Sequence, residues 1–174
     1  MTYSSGAIAV LGTITALVVL PGCTENEAKR EFAVPKSACG TPIDADDLSA
    51  FLPPGKKLTT KTTSDSRDST KCAISVDSKL VVQTAQEWWD DMTVVEFSRG
   101  MTLDDPDHQT DDGNYVYSDY QAFGKVVDCQ SNAHKGQVLY TAIQGSGSDH
   151  RDLDAMKRLI EKYTQAVKSS EVCS

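Results

Sequence analysis

The stretch DLDAMKRLIEKYTQAVK, residues 152–168, decides the architecture. Leu153, Met156, Ile160, Tyr163 and Val167 recur at helical spacing on one side, while Asp152, Lys157, Arg158, Glu161, Lys162 and Lys168 fall largely elsewhere. Asp149 stands ready to cap its start. A helix with a single apolar stripe must bury it against another layer. The residues before it read as strands, so the expected partner is a sheet.

Working outward, residues 137–144 supply one strand, and residues 115–128 supply two more around a turn near Ser118 and Asp119. Residues 70–76 alternate through Cys72, Ile74 and Val76. Asp77 and Ser78 then link that run to Leu80, Val81 and Val82, which is the spacing of a two-residue hairpin. Residues 58–63 are rich in β-branched Thr and give a further strand. Residues 93–101 suit a short helix closed near Gly100. Asp44 suits the cap of another, carrying Leu48, Phe51 and Leu52 before Pro53 and Pro54 stop it. This order predicts an α+β fold: an antiparallel β-sheet with flanking helices, including a long C-terminal one.

At the other end, an uncharged apolar run from Ala7 to Leu20 leads into Leu20, Pro21, Gly22 and Cys23. About fourteen residues are too few to span a hydrocarbon core, which needs ~20. A short apolar core ending in small residues is the pattern of an export signal. Here it finishes on a cysteine and resembles the lipobox of bacterial lipoproteins. That resemblance implies cleavage before Cys23 and acylation of its thiol. The expected organisation is a signal peptide at 1–22, a polar tether at 23–36 and one extracytoplasmic domain at 37–174.

Residues 1–22 hold no Asp, Glu, Lys or Arg, so the formal charge of −8 belongs entirely to residues 23–174. An acidic chain lacks the basic footprint that nucleic acid needs, and nucleic acid is not an expected partner. Nor does the sequence carry a polybasic run for anionic lipid. Attachment to a membrane would therefore rest on acyl chains, two of which suffice for stable anchoring.

Beyond Cys23 lie Cys39, Cys72, Cys129 and Cys173. An even number in an exported chain reads as disulfides, with three pairings open. Cys39 with Cys72 and Cys129 with Cys173 is preferred, because each bond then ties the start of a segment to its own later element. Each loop would add roughly 3 to 4 kcal/mol by the chain-entropy argument. Zinc is a poor alternative, since there is no C-x-x-C and no paired His spacing.

Chemical motifs are weak. Asp104, Asp105, Asp107, Asp111 and Asp112 concentrate carboxylates near His108. Asp105, Asp107, Asp111 and Asp112 are candidate Ca²⁺ ligands, although their spacing does not fit an EF-hand and a solvated acidic loop is the plainer reading. Gln144 to His150 has two glycines in a strand-to-helix context but lacks the third of a dinucleotide loop. No G-x-S-x-G occurs, and His108, His134 and His150 sit among polar neighbours, as surface residues do. No catalytic residue and no cofactor is assigned. Trp88, Trp89, Tyr115, Tyr117 and Tyr120 concentrate the aromatics. Adjacent strand residues face opposite ways, so one tryptophan is expected in the core; ordinary sheet packing is the plainer reading of the group, and an exposed Trp88 beside Tyr115 and Tyr117 would instead form a recognition patch.

Ala38, Cys39 and Gly40, then Leu48, Phe51, Leu52 and Pro53, then Lys71 and Cys72 look like the opening of actinobacterial (Streptomyces-type) membrane lipoproteins of unknown function. Val126, Val127, Asp128 and Cys129, with the helix leading to Cys173, extend the likeness over residues 38–173. The resemblance implies a lipid-anchored domain at the outer face of the cell membrane, with a PsbP-like fold, and no catalytic residues. The function expected is a non-catalytic binding or interaction module for an envelope protein or small ligand. The alternatives are an extracytoplasmic hydrolase, a metal-dependent enzyme using the acidic loop, and a lipid carrier with a cavity between sheet and helix.

Overall fold

The computed structural model describes residues 1, 2, 29–145 and 147–173. Residues 3–22 of the expected export signal, and Cys23, lie outside them. No helix among the described residues is long and apolar enough to cross a membrane.

Strands β1 (Ser37–Ala38) and β2 (Thr41–Pro42) form a small antiparallel ladder. Helix α1 (Ala45–Ser49) comes next, with the Asp44 carboxylate accepting from the amides of Asp46 and Asp47, as its sequence position predicts. Then come β3 (Leu58–Ser66), β4 (Ser69–Val76), β5 (Lys79–Asp90), α2 (Val94–Met101), β6 (His108–Gln109), β7 (Tyr115–Tyr117), β8 (Gln121–Lys125), β9 (Gln137–Gln144) and α3 (Leu153–Lys168). A 3-10 turn over Glu171–Cys173 ends the described chain. The large sheet has seven strands in the order β3-β4-β5-β9-β8-β7-β6, every neighbouring pair antiparallel. The fold is α+β, as expected.

The β4–β5 hairpin turns at Asp77 and Ser78, both at positive φ (48° and 70°). That is the backbone a two-residue turn requires to match strand twist. Pairing then slips between Ile74 and Ser75, which leaves Val81 as an extra residue on β5. Through this bulge Val81 and Val82 are both buried.

Alternation gives the sheet two apolar faces. Cys72, Ile74, Val82, Leu139 and Ile143 face α3 and α1, meeting Met156, Leu159, Ile160, Tyr163 and Val167. Ala85, Tyr140, Ala142 and Phe123 point the other way, onto Phe97 and Val94 of α2. Phe97 organises that smaller core, stacking on Tyr140 at 4.5 Å and meeting Trp89 edge-on at 5.3 Å. Thr93 and Glu96 form a capping box that starts α2.

Two disulfides join Cys39 to Cys72 and Cys129 to Cys173. The first fastens the β1–β2 turn to β4. The second fastens the β8–β9 loop to the C-terminal turn.

Two expectations are corrected. The cap of α3 is Asp152, whose carboxylate accepts from Ala155 N at 2.9 Å, not Asp149. Asp119 O accepts from Asp152 N at 2.9 Å, which holds the chain extended up to that point. The expected tether also ends earlier than residue 36. Arg30 bridges to Gly55, its guanidinium donates to the carbonyls of Ser49 and Leu52, and Phe32 and Val34 pack on the main core. Those carbonyls belong to the end of α1 and the residues after it, where a cation is favoured.

Candidate functional site

A concavity sits at one end of the sheet, where two chain reversals, Arg67 and Asp68 between β3 and β4 and the loop from β8 to β9, meet the end of β5 at Trp88. Trp88 N donates to Asp68 O at 2.8 Å, which fixes the first reversal against β5. The β8–β9 loop starts near Asp128 and closes at Gly136, both in the left-handed region (59° and 83°). Within it Ser131 O accepts from His134 N at 3.3 Å, and His134 O accepts from Gln137 N at 3.1 Å. His134 is thereby held in a turn whose base is bound to the C-terminus by Cys129–Cys173.

The imidazole lies flat on the Trp88 indole, with centroids 4.5 Å apart and planes 5° from parallel. Its Nδ1 is 3.2 Å from the Asp68 carboxylate and 3.2 Å from Gln137 Oε1. An amide oxygen only accepts, so the hydrogen bond to Gln137 Oε1 places a proton on Nδ1, with the Asp68 carboxylate beside it. The His134 side chain is 13% exposed.

Two depressions flank this stack and share Ser131 and His134. One, of about 380 Å³, is lined by Gln130, Asn132, Lys135 and Gln137. The other, of about 300 Å³, has Gln86 and Trp88 in its wall, with Arg67, Asp68 and Glu171 around it. Gln86 Nε2 also donates to Thr41 Oγ1 at 2.9 Å and to the Tyr163 hydroxyl at 3.3 Å, and Tyr163 donates to Thr84. A chain of hydrogen bonds thus runs from the cleft into the α3–sheet interface. The arrangement offers amides, hydroxyls and both charge signs on a stapled frame, which suits recognition of a polar ligand.

The sequence reading takes His134 for a surface residue because Ser131, Asn132 and Lys135 surround it. The fold corrects this, since Trp88 comes from a strand far away in sequence. No local pattern carries that contact.

The aromatic residues singled out do not form one patch. Trp88 is buried on β5, whereas Tyr115 and Tyr117 are half-buried on β7, with β9 and β8 between. Tyr117 stacks on His108 at 5.5 Å. Neither tryptophan is exposed, as ordinary sheet packing, the plainer reading, requires. Trp89 is half-buried over Gly100, where an added Cβ would come within 2.7 Å of the indole. Burial, with Glu161 and Asp112 nearby, pushes the Tyr115 hydroxyl up.

The acidic candidates disperse. Asp105 pairs with Arg99 at 3.2 Å, and Asp107 lies 3.6 Å from His108. Asp112 accepts from the Thr110 hydroxyl, which with the Asn114 amides holds its carboxyl below the ordinary range. Asp111 is exposed beside them. No group of three or more His, Cys, Asp or Glu among the described residues is arranged to hold a metal ion. The glycine-rich segment is a turn, with Gly145 N donating to Tyr120 O at 2.7 Å.

Compared with family models, curated proteins and solved structures, the chain has no match.

Proposed function

We propose that this chain is an exported lipoprotein, acylated on Cys23 and held at the outer face of the cell membrane, whose domain is a non-catalytic binding module. Its recognition site is the cleft around Trp88 and His134, and its partner is an envelope protein or a small polar ligand.

One observation carries the reading. The chain joins the domain at Arg30, bridged to Gly55 beside the β4–β5 turn, while the cleft lies at the opposite end of β5. Twelve residues of strand separate the two ends, roughly 40 Å at ~3.3 Å per residue. A domain anchored at one end presents the other outward. Two disulfides add support, because such bonds persist in oxidising compartments. The interface that a lipid carrier would need open is filled by Met156, Leu159, Ile160 and Tyr163, each no more than 1% exposed.

Two measurements test this. Intact mass of the protein extracted from native membranes should show a diacylated Cys23 as the first residue and four oxidised cysteines; an unmodified thiol with reduced partners rejects the reading. Envelope glycans and peptides should then be screened by tryptophan fluorescence. A binder whose signal is lost in His134→Ala supports the cleft, and one unaffected by that change moves the site elsewhere.

A further inference from the structure

The sequence holds no polybasic run, yet the fold builds a basic rim where the chain joins the domain. Lys56 and Lys57 come directly after Gly55, which bridges to Arg30. Their backbone amides both donate to the Asp77 carboxylate, at 2.9 to 3.1 Å, which brings the β4–β5 turn and its Lys79 alongside. Lys29 precedes Arg30. These four lysines are exposed and come from three separate stretches of sequence. Gly55 makes the convergence possible, because a Cβ there would fall 2.4 Å from Val76 Cγ1. Glu31 and Asp77 are the carboxylates on this rim, and the Asp77 carboxylate is turned onto the loop amides, whose hydrogen bonds hold it below its ordinary range.

Charge is distributed unevenly. The acids Asp104, Asp105 and Asp107 precede β6, at the same strand end as Lys79 but at the opposite edge of the sheet, so that end runs from lysines beside β3 to carboxylates beside β6.

We infer that this rim rests on the anionic headgroups of the bilayer that holds the anchor, with the β3 edge tilted toward the lipid and the β6 edge away. The inference builds on the lipid-anchor reading. Arg30 lies seven peptide links beyond Cys23, a reach of at most about 25 Å. That is shorter than the domain measured along β5. The rim is therefore kept near the surface, within the range where each lysine gains from anionic lipid.

The test uses the full lipidated chain in vesicles of phosphatidylcholine alone or with one-third phosphatidylglycerol. Lysine labelling by a water-soluble amine reagent is read residue by residue by mass spectrometry. Lys56, Lys57 and Lys79 should label at least about threefold more slowly on the anionic vesicles, and the difference should vanish at 1 M salt, where screening reaches about 3 Å. Lys135, at the cleft end, should label equally on both. In the Lys56→Glu, Lys57→Glu double variant the protection of Lys79 should be lost while the protein still floats with the vesicles. Equal labelling on both lipids, or slowing at Lys135, overturns the inference. Failure of the anchor reading is seen separately, as an unmodified Cys23 in the starting mass. In that event a maleimide lipid coupled to the free thiol supplies the tether, and the same labelling still decides the rim.

Discussion

His134 covers the face of Trp88, its ring parallel to the indole at 4.5 Å, with Asp68 and Gln137 both on Nδ1. The stack joins strand β5 to the β8–β9 loop, and His134 lines both depressions.

Trp88→Ala should cost about 3–5 kcal/mol, the usual range for emptying a buried tryptophan site. His134→Ala should cost only about 1 kcal/mol, since it forfeits a stack at the margin of the core. Chemical denaturation of the two variants checks the ranking. A His134 variant as damaging as the Trp88 variant would show that the imidazole carries core packing.

Removing the Cys129–Cys173 bond, by changing both to Ser, should lower stability by about 4 kcal/mol for a 44-residue separation. Hydrogen exchange should rise in the 127–136 loop and at the C-terminal turn but not in β3–β4, which the other disulfide serves. A uniform rise across the sheet contradicts this local role.

Gly124→Ala should destabilise by about 1–3 kcal/mol through overpacking. A Cβ there would lie 2.7 Å from Thr164 Oγ1, 2.9 Å from Thr141 Oγ1 and 3.0 Å from Tyr115 Cδ1. Those two hydroxyls share a buried hydrogen bond of 2.6 Å that joins α3 to β9. Pairing Gly124→Ala with Thr164→Ser, which removes only a methyl, should leave the clash with Oγ1 in place. Recovery in that double variant would place the strain elsewhere.

Acid should weaken the fold through four carboxylates held below their ordinary range. The Asp47 amide and then Lys162 act on Asp44, the Lys56 and Lys57 amides on Asp77, the Thr93 amide on Glu96, and the Thr110 hydroxyl on Asp112. A depressed folded pKa contributes stability above the unfolded value, near ~4, that is lost as pH falls through the folded one. Thermal unfolding from pH 7 to pH 2 should show these contributions constant above about pH 5 and declining below pH 4. Asp77→Asn should flatten the decline, and an unchanged slope would remove Asp77 from the account.

Sequence alone determined the elements whose signals are local. The stripe through Leu153, Met156, Ile160, Tyr163 and Val167 depends only on helical period, the Asp77–Ser78 turn on a two-residue link, and the Asp44 cap on its distance to the next amides. The preferred disulfide pairing also agrees with the bonds seen, because the elements that each pair ties were legible. The tertiary structure alone decided which residues meet across the sheet. Its register and the bulge at Val81 set His134 against Trp88, separate Trp88 from Tyr115 and Tyr117, and bring Lys56, Lys57 and Lys79 together. Strand pairing joins residues at arbitrary separation, and a slip of one residue turns every side chain to the other face. Short-range periodicity holds no record of that choice.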